Sequence, residues 1–208
     1  MLSVNLIKTA VLITHKAFPY PMPVKWQQAS QVSNLPPNLH DWLLNTGSLT
    51  ERLQALTTNF NVYLLGQQIL PMDKNEAQQL ASKHTPLEND WQIREVILQG
   101  ETTSAFREDN TSDNRQLNDW VFARSILPNE LCQSKWANLG NQPLGARIFN
   151  DNNFVRSGFE IGRLEYHPLS NEAFEAEQEC WARRSKFTIG EYELLVAEAF
   201  LPDCPCYR

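Results

Sequence analysis

Two charged side chains fall where a strand pattern asks for apolar ones. Alternate residues of a strand share a face. If 91–99 and 192–201 are strands, Arg94 lies in phase with Gln92, Val96 and Leu98, and Glu198 lies in phase with Tyr192, Leu194, Val196 and Phe200. An unpaired buried charge is costly, so each must meet a charged neighbour, a solvated cavity or a ligand. A structural ion pair, between these two or with neighbours, answers that demand. So does an internal pocket for a small polar molecule. Arg124, in phase with Trp120, Phe122 and Ile126, and Arg156, Arg163, Arg183 and Arg184 are further cations, expected at the surface or at a sheet edge.

Other chemistries find less support. No Gly-x-Ser-x-Gly elbow is present to project a serine nucleophile. No His-Glu-x-x-His pair occurs, and the histidines at 15, 40, 84 and 167 share no helical or strand spacing. Cys204-Pro205-Cys206 has no second pair to complete a metal or redox site, so Cys132, Cys180, Cys204 and Cys206 read as reduced thiols. A glycosidase needs two suitably separated carboxylates, and Glu95 and Glu198 are the ones flanked by strand-like apolar residues.

The elements that must position these residues are short. Residues 38–45 read as a helix, and Ser48-Leu-Thr-Glu51 opens a second with a capping-box pattern that leaves Leu49 in its first turn. Segments 60–66, 91–99, 119–127, 154–164, 181–189 and 192–201 are rich in aromatic and β-branched residues and read as six strands. A helix is expected over 129–139, and Pro143-Leu144-Gly145 starts another. Strands without regularly interleaved crossover helices imply an antiparallel sheet, so the class is α+β in a single domain. Residues 1–25 read as an extended or disordered lead-in and 26–208 as the domain; 101–118 and the acidic 166–179 read as solvated excursions.

The 208 residues carry 18 Lys and Arg against 24 Asp and Glu, a formal charge of −6. That balance argues against a partner with a phosphate backbone, whose binding needs clustered cations. With 8 Gly and no Gly-rich phosphate-binding loop, nucleotide-dependent chemistry also loses ground. No apolar run reaches membrane-spanning length. A cytoplasmic setting is expected from the sparse cysteines and the lack of a signal-peptide pattern.

Seven segments in order carry a resemblance: Asp41-Trp-Leu-Leu with Ser48-Leu-Thr-Glu-Arg-Leu, Trp91-Gln-Ile-Arg-Glu-Val-Ile-Leu, Val121-Phe-Ala-Arg-Ser-Ile-Leu-Pro, Pro143-Leu-Gly-Ala-Arg-Ile-Phe, Phe159-Glu-Ile-Gly-Arg, Trp181-Ala-Arg-Arg-Ser and Leu195-Val-Ala-Glu-Ala-Phe-Leu-Pro. From about Trp26 to Tyr207 the chain resembles the chorismate pyruvate-lyase family. The resemblance implies a six-stranded antiparallel sheet with flanking helices that act as flaps over an internal site. It implies a monomeric enzyme that releases 4-hydroxybenzoate and pyruvate from chorismate, towards ubiquinone, without metal or organic cofactor.

Carried over by position, the family's ligand-contacting arginine falls on Arg94 and the carboxylate facing the ligand's ring hydroxyl on Glu198. Backbone amides at Leu49 and Leu144 complete the grip on the ring carboxylate; each lies in an expected first helical turn, where unpaired N–H groups favour an anion. The alternative is a non-catalytic effector-sensing domain that binds a small aromatic acid. Such domains share this fold and are joined to winged-helix regulators, and the Pro-rich segment before Asn38 holds no basic helix-turn-helix.

Overall fold

The computed structural model describes residues 18–20, 22–33, 35–80, 91–101, 117–134, 142–164 and 180–208. Among them the strands are β1 (Gln27–Gln28), β2 (Phe60–Ile69), β3 (Trp91–Glu101), β4 (Leu117–Pro128), β5 (Val155–Arg156), β6 (Glu160–Arg163), β7 (Trp181–Ile189) and β8 (Tyr192–Phe200). The helices are α1 (Pro37–Leu43), α2 (Leu49–Gln54), α3 (Lys74–Leu80), α4 (Asn129–Ser134) and α5 (Leu144–Phe149). All strands join one antiparallel sheet in the order β1-β6-β7-β8-β4-β3-β2, with β5 also pairing β7. No helix among the described residues is long and apolar enough to cross a membrane.

Among the described residues the sheet thus has eight strands where the sequence predicts six. The predicted strand 154–164 is two strands on one partner: Arg156 pairs with Phe187 and Glu160 with Arg184. Between those pairs, three residues (157–159) oppose two (185 and 186), a bulge-like excess that breaks the ladder. Ser157 anchors the break, its N–H donating to Lys186 O at 2.8 Å and its Oγ accepting from Lys186 N at 3.0 Å. β1 is too short to carry a period. The predicted helix 129–139 is seen as α4 to Ser134, and its remainder lies outside the described residues, as do most of 101–118 and all of 166–179.

Hydrophobic periodicity does not announce α3, whose buried residues are Glu76 and Leu80. A reciprocal cap starts it: Glu76 N–H donates to Asp73 Oδ1 at 2.8 Å, and Asp73 N–H donates to Glu76 Oε2 at 3.0 Å.

The sheet buries both faces. On the front, α1 and α2 supply Leu39, Trp42, Leu43, Leu49 and Leu53 to a core shared with Val96, Val121 and Phe200. Beside it, α4 and α5 pack Leu131, Leu144 and Ile148 against Phe187 and Leu194. On the back, the extended residues 18–20 and 22–26 cover Ile97, Phe122 and Ala199, with Tyr20 buried, and α3 places Leu80 against Ile93 and Ile126.

A bulge alters one strand phase. Leu98 pairs with Val121 but Gln99 pairs with Asp119, so Trp120 is the extra residue. It joins Val121 in the front core, while Arg124 stays with Phe122 and Ile126 on the back. The expected phasing of Arg124 with Trp120 is therefore broken. Gly100 accommodates the displaced indole, since a Cβ there would collide with the Trp120 ring.

Candidate functional site

Register aligns two rows of side chains on the front face. Arg94, Ser125, Val196 and Ser185 form one across β3, β4, β8 and β7; Val96, Ala123, Glu198 and Arg183 form the next. Ser125 and Ala123 are small and sit mid-sheet, so space remains beneath α2 and α5. That space is about 640 Å³ when its opening to solvent is counted. Leu49, Arg94, Leu144 and Glu198, singled out from sequence, all line it.

Arg94 is 1% exposed, and its Nη2 donates to Gln142 O at 2.9 Å, just ahead of α5. Burial lowers its pKa to about 10, which leaves it cationic at neutral pH. Ser48 caps α2 by accepting from Glu51 N–H at 3.3 Å. The start of α5 lies against the start of α2: a Cβ on Gly145 would come within 3.2 Å of Thr50 Oγ1, so glycine permits the approach. Two helix starts, with N–H groups unpaired within their own helices, thus border the cavity that holds Arg94.

Glu198 meets Arg183, its direct cross-strand partner, through Arg183 Nε at 2.7 Å. Arg183 Nη1 also donates to Trp42 O at 2.8 Å and Asn45 O at 3.1 Å at the end of α1. The ion pair with a neighbour expected from strand phase is found for Glu198, and that pair is part of the cavity wall.

The other arginines divide. Arg183 and Arg184, expected at the surface or an edge, are buried, because both sheet faces are covered. Arg184 Nε bonds Glu160 at 2.6 Å and its Nη1 bonds Asn75 Oδ1 at 2.7 Å. Arg124 is buried on the back face between Glu76 and Glu95. Arg163 is exposed, as expected, over the Trp181 ring. Arg156 is half-buried and lines the cavity. Sequence reasoning missed Arg183, Arg156 and Ser185 as cavity residues. One signal was available: adjacent Arg183 and Arg184 in a strand must take opposite faces, so at least one faces the sheet's covered side.

The arrangement can hold a small planar acid, with a cation and two helix starts for one anionic group and a braced carboxylate for a hydroxyl. Comparison with known proteins gives the family. The family model described as "Chorismate lyase" matches residues 20–208. A "Probable chorismate pyruvate-lyase" of Pseudoalteromonas atlantica is 41% identical over 192 residues, covering 89% of this chain and 90% of that one. Another, from Idiomarina loihiensis, is 34% identical over 198 residues, covering 92% of each. Among solved structures, a possible transcriptional regulator of Bacillus subtilis aligns with a TM-score of 0.47 at 10% identity, covering 74% of this chain and 63% of that one. With the family model spanning nearly the whole chain and relatives matched over about nine-tenths of their length, the chain belongs to the chorismate lyase family and is a lyase.

Proposed function

We propose that the protein converts chorismate to 4-hydroxybenzoate and pyruvate, as the first committed step towards ubiquinone. The ether bond between the ring and the enolpyruvyl group breaks. The ring carbon bearing the hydroxyl loses its hydrogen as a proton, and the enolate that departs with the ether oxygen's electron pair gains one at its methylene carbon to become pyruvate. Every substrate atom ends in one of two products, so neither water nor an oxidant is consumed.

Arg94 and the amides of Leu49 and Leu144 hold the ring carboxylate, and Glu198, braced by Arg183, accepts a hydrogen bond from the ring hydroxyl. Aromatisation drives the reaction. The protein's share is positioning and fixed electrostatics in a site from which water is excluded. Because Arg94 is 1% exposed beneath α2 and α5, these helices act as flaps that part to admit the ligand. On this reading the enzyme works as a cytoplasmic monomer on a diffusible substrate.

The observation that carries the reading is that all four residues named by family position line one cavity, although they come from α2, β3, α5 and β8. Purified protein incubated with chorismate is expected to release equimolar 4-hydroxybenzoate and pyruvate. Arg94→Ala is expected to abolish release while the circular dichroism spectrum is retained; full activity in that variant would sink the assignment.

A further inference from the structure

The cavity holds a cation that the reading above does not use. Register pairs Arg156 of β5 with Phe187 of β7, which turns both towards the front face and leaves Val155 outward, 68% exposed. The Arg156 guanidinium carbon lies 4.4 Å from the Phe159 ring centroid, 5.6 Å from that of Phe149 and 5.8 Å from that of Phe187. Among the described residues no carboxylate bonds it, whereas Arg183 is tied to Glu198, Arg184 to Glu160, and Arg124 to Glu76 and Glu95.

The described residues around it supply no compensating anion at contact. Burial and the nearby Arg183 both disfavour its charge, and only Glu198, already engaged, favours it. Phe159 lies against both cations, its centroid 5.0 Å from the Arg183 guanidinium carbon. Arg156 therefore stands beside the Arg183–Glu198 pair, on the flank of the sheet opposite Arg94 in strand order. A stacked guanidinium keeps its in-plane N–H groups available, and their fork matches a carboxylate.

We propose that Arg156 recognises the second carboxylate of the substrate, that of the enolpyruvyl side chain, and so distinguishes the dianionic substrate from the monoanionic aromatic product. The inference rests on the chorismate reading. On it, Arg94 holds a group common to substrate and product, and Arg156 holds one that leaves with pyruvate. The product then loses one of its two cationic contacts once the bond has broken.

The test compares two ligands in Arg156→Met, which keeps apolar bulk against the phenylalanines. KM for chorismate is expected to rise about tenfold or more, the usual scale for a lost buried charge contact. Affinity for 4-hydroxybenzoate, measured by calorimetry, should stay within about twofold, the uncertainty of a non-contacting change. Arg156→Lys, with charge but no fork, should recover part of the KM, and Arg156→Gln gives the same reading as the Met variant should that one fail to fold. An unchanged KM overturns the proposal. Equal weakening of both ligands with a lowered melting temperature also overturns it, since that is the mark of a purely structural residue. If wild-type protein neither turns over chorismate nor binds 4-hydroxybenzoate, the chorismate reading itself falls; normal wild-type behaviour with an indifferent variant removes only the role of Arg156.

Discussion

Arg183 and Glu198 are direct partners in the β7–β8 ladder, and the guanidinium that grips the carboxylate at 2.7 Å also binds two carbonyls at the end of α1. One side chain therefore both orients the cavity's carboxylate and ties a covering helix to the sheet. Arg183→Met is expected to lower kcat for chorismate and to cost about 3 kcal/mol of stability, because it leaves Glu198 and two carbonyls without their donor. Arg183→Lys keeps the charge but not the spread of donors and should recover only part of either loss. Steady-state kinetics and denaturant unfolding check this; unaltered kcat would separate Arg183 from the chemistry.

Arg94 sets an alkaline limit. On the proposed reading its guanidinium, and not the neutral guanidine, holds the ring carboxylate, and burial has brought its pKa down to about 10. It is fully charged through neutral pH, so kcat/KM should show no loss from this group up to about pH 9 and then fall about tenfold per unit above about pH 10. A bound carboxylate favours the charged form, so kcat, which reports the complex, should fall later than kcat/KM. A kcat/KM profile still level at about pH 11 would contradict the assignment of Arg94 as the ligand's cation.

The back face carries a buried charge cluster with no part in the proposed chemistry. Arg124 bonds both oxygens of Glu76, at 2.6 and 3.2 Å, and also Glu95, whose Oε2 accepts from Tyr20 N–H at 3.0 Å. Burial raises the Glu95 pKa even with these partners. A raised folded pKa stabilises the protein at pH below the unfolded value, and that contribution is lost as pH rises through the folded one. Arg124→Met removes the charge and the hydrogen bond that, beside the Tyr20 N–H, oppose the rise. The variant should lose about 3–5 kcal/mol at neutral pH, with the deficit against wild type narrowing as pH falls towards about 5. Urea melts at two pH values measure this, and a deficit independent of pH would argue against Glu95 as its source.

The thiols should be inert. Cys132, Cys180, Cys204 and Cys206 are all free and buried. Burial pushes Cys132 up to about 11, Cys180 up to about 12 and Cys206 up as well. A thiol reagent at neutral pH is expected to label the native protein only at the rate of its unfolding and to leave turnover unchanged. Rapid labelling of Cys204 or Cys206 with loss of activity would reopen a thiol-based reading of Cys204-Pro205-Cys206.

Much of the fold is legible in the chain. Alternation of aromatic and β-branched residues marks β2, β3, β4, β7 and β8, and the Ser48 cap marks the start of α2. Errors fall where a local pattern is overridden. The strand predicted over 154–164 splits because β7 offers two residues to three. Trp120 leaves its phase because β4 carries an extra residue against Gly100. α3 is amphipathic only in the sense that one Glu and one Leu are buried, and nothing in its hydrophobicity announces that Glu76 meets Arg124.

The site divides in the same way. Strand period alone marked Arg94 and Glu198, because a charge in phase with apolar neighbours is costly unless something answers it. Period cannot tell what does, since that depends on which strands lie side by side and in which register. The ladder order β7-β8-β4-β3 put Arg183 opposite Glu198, opened the space over Ser125 and Ala123, and left Arg156 among phenylalanines with no carboxylate bonded to it among the described residues. Side-chain alternation is a property of the local backbone and is written in the sequence. Pairing between residues tens of positions apart is set by the packing of the whole sheet, and only the tertiary structure decided it.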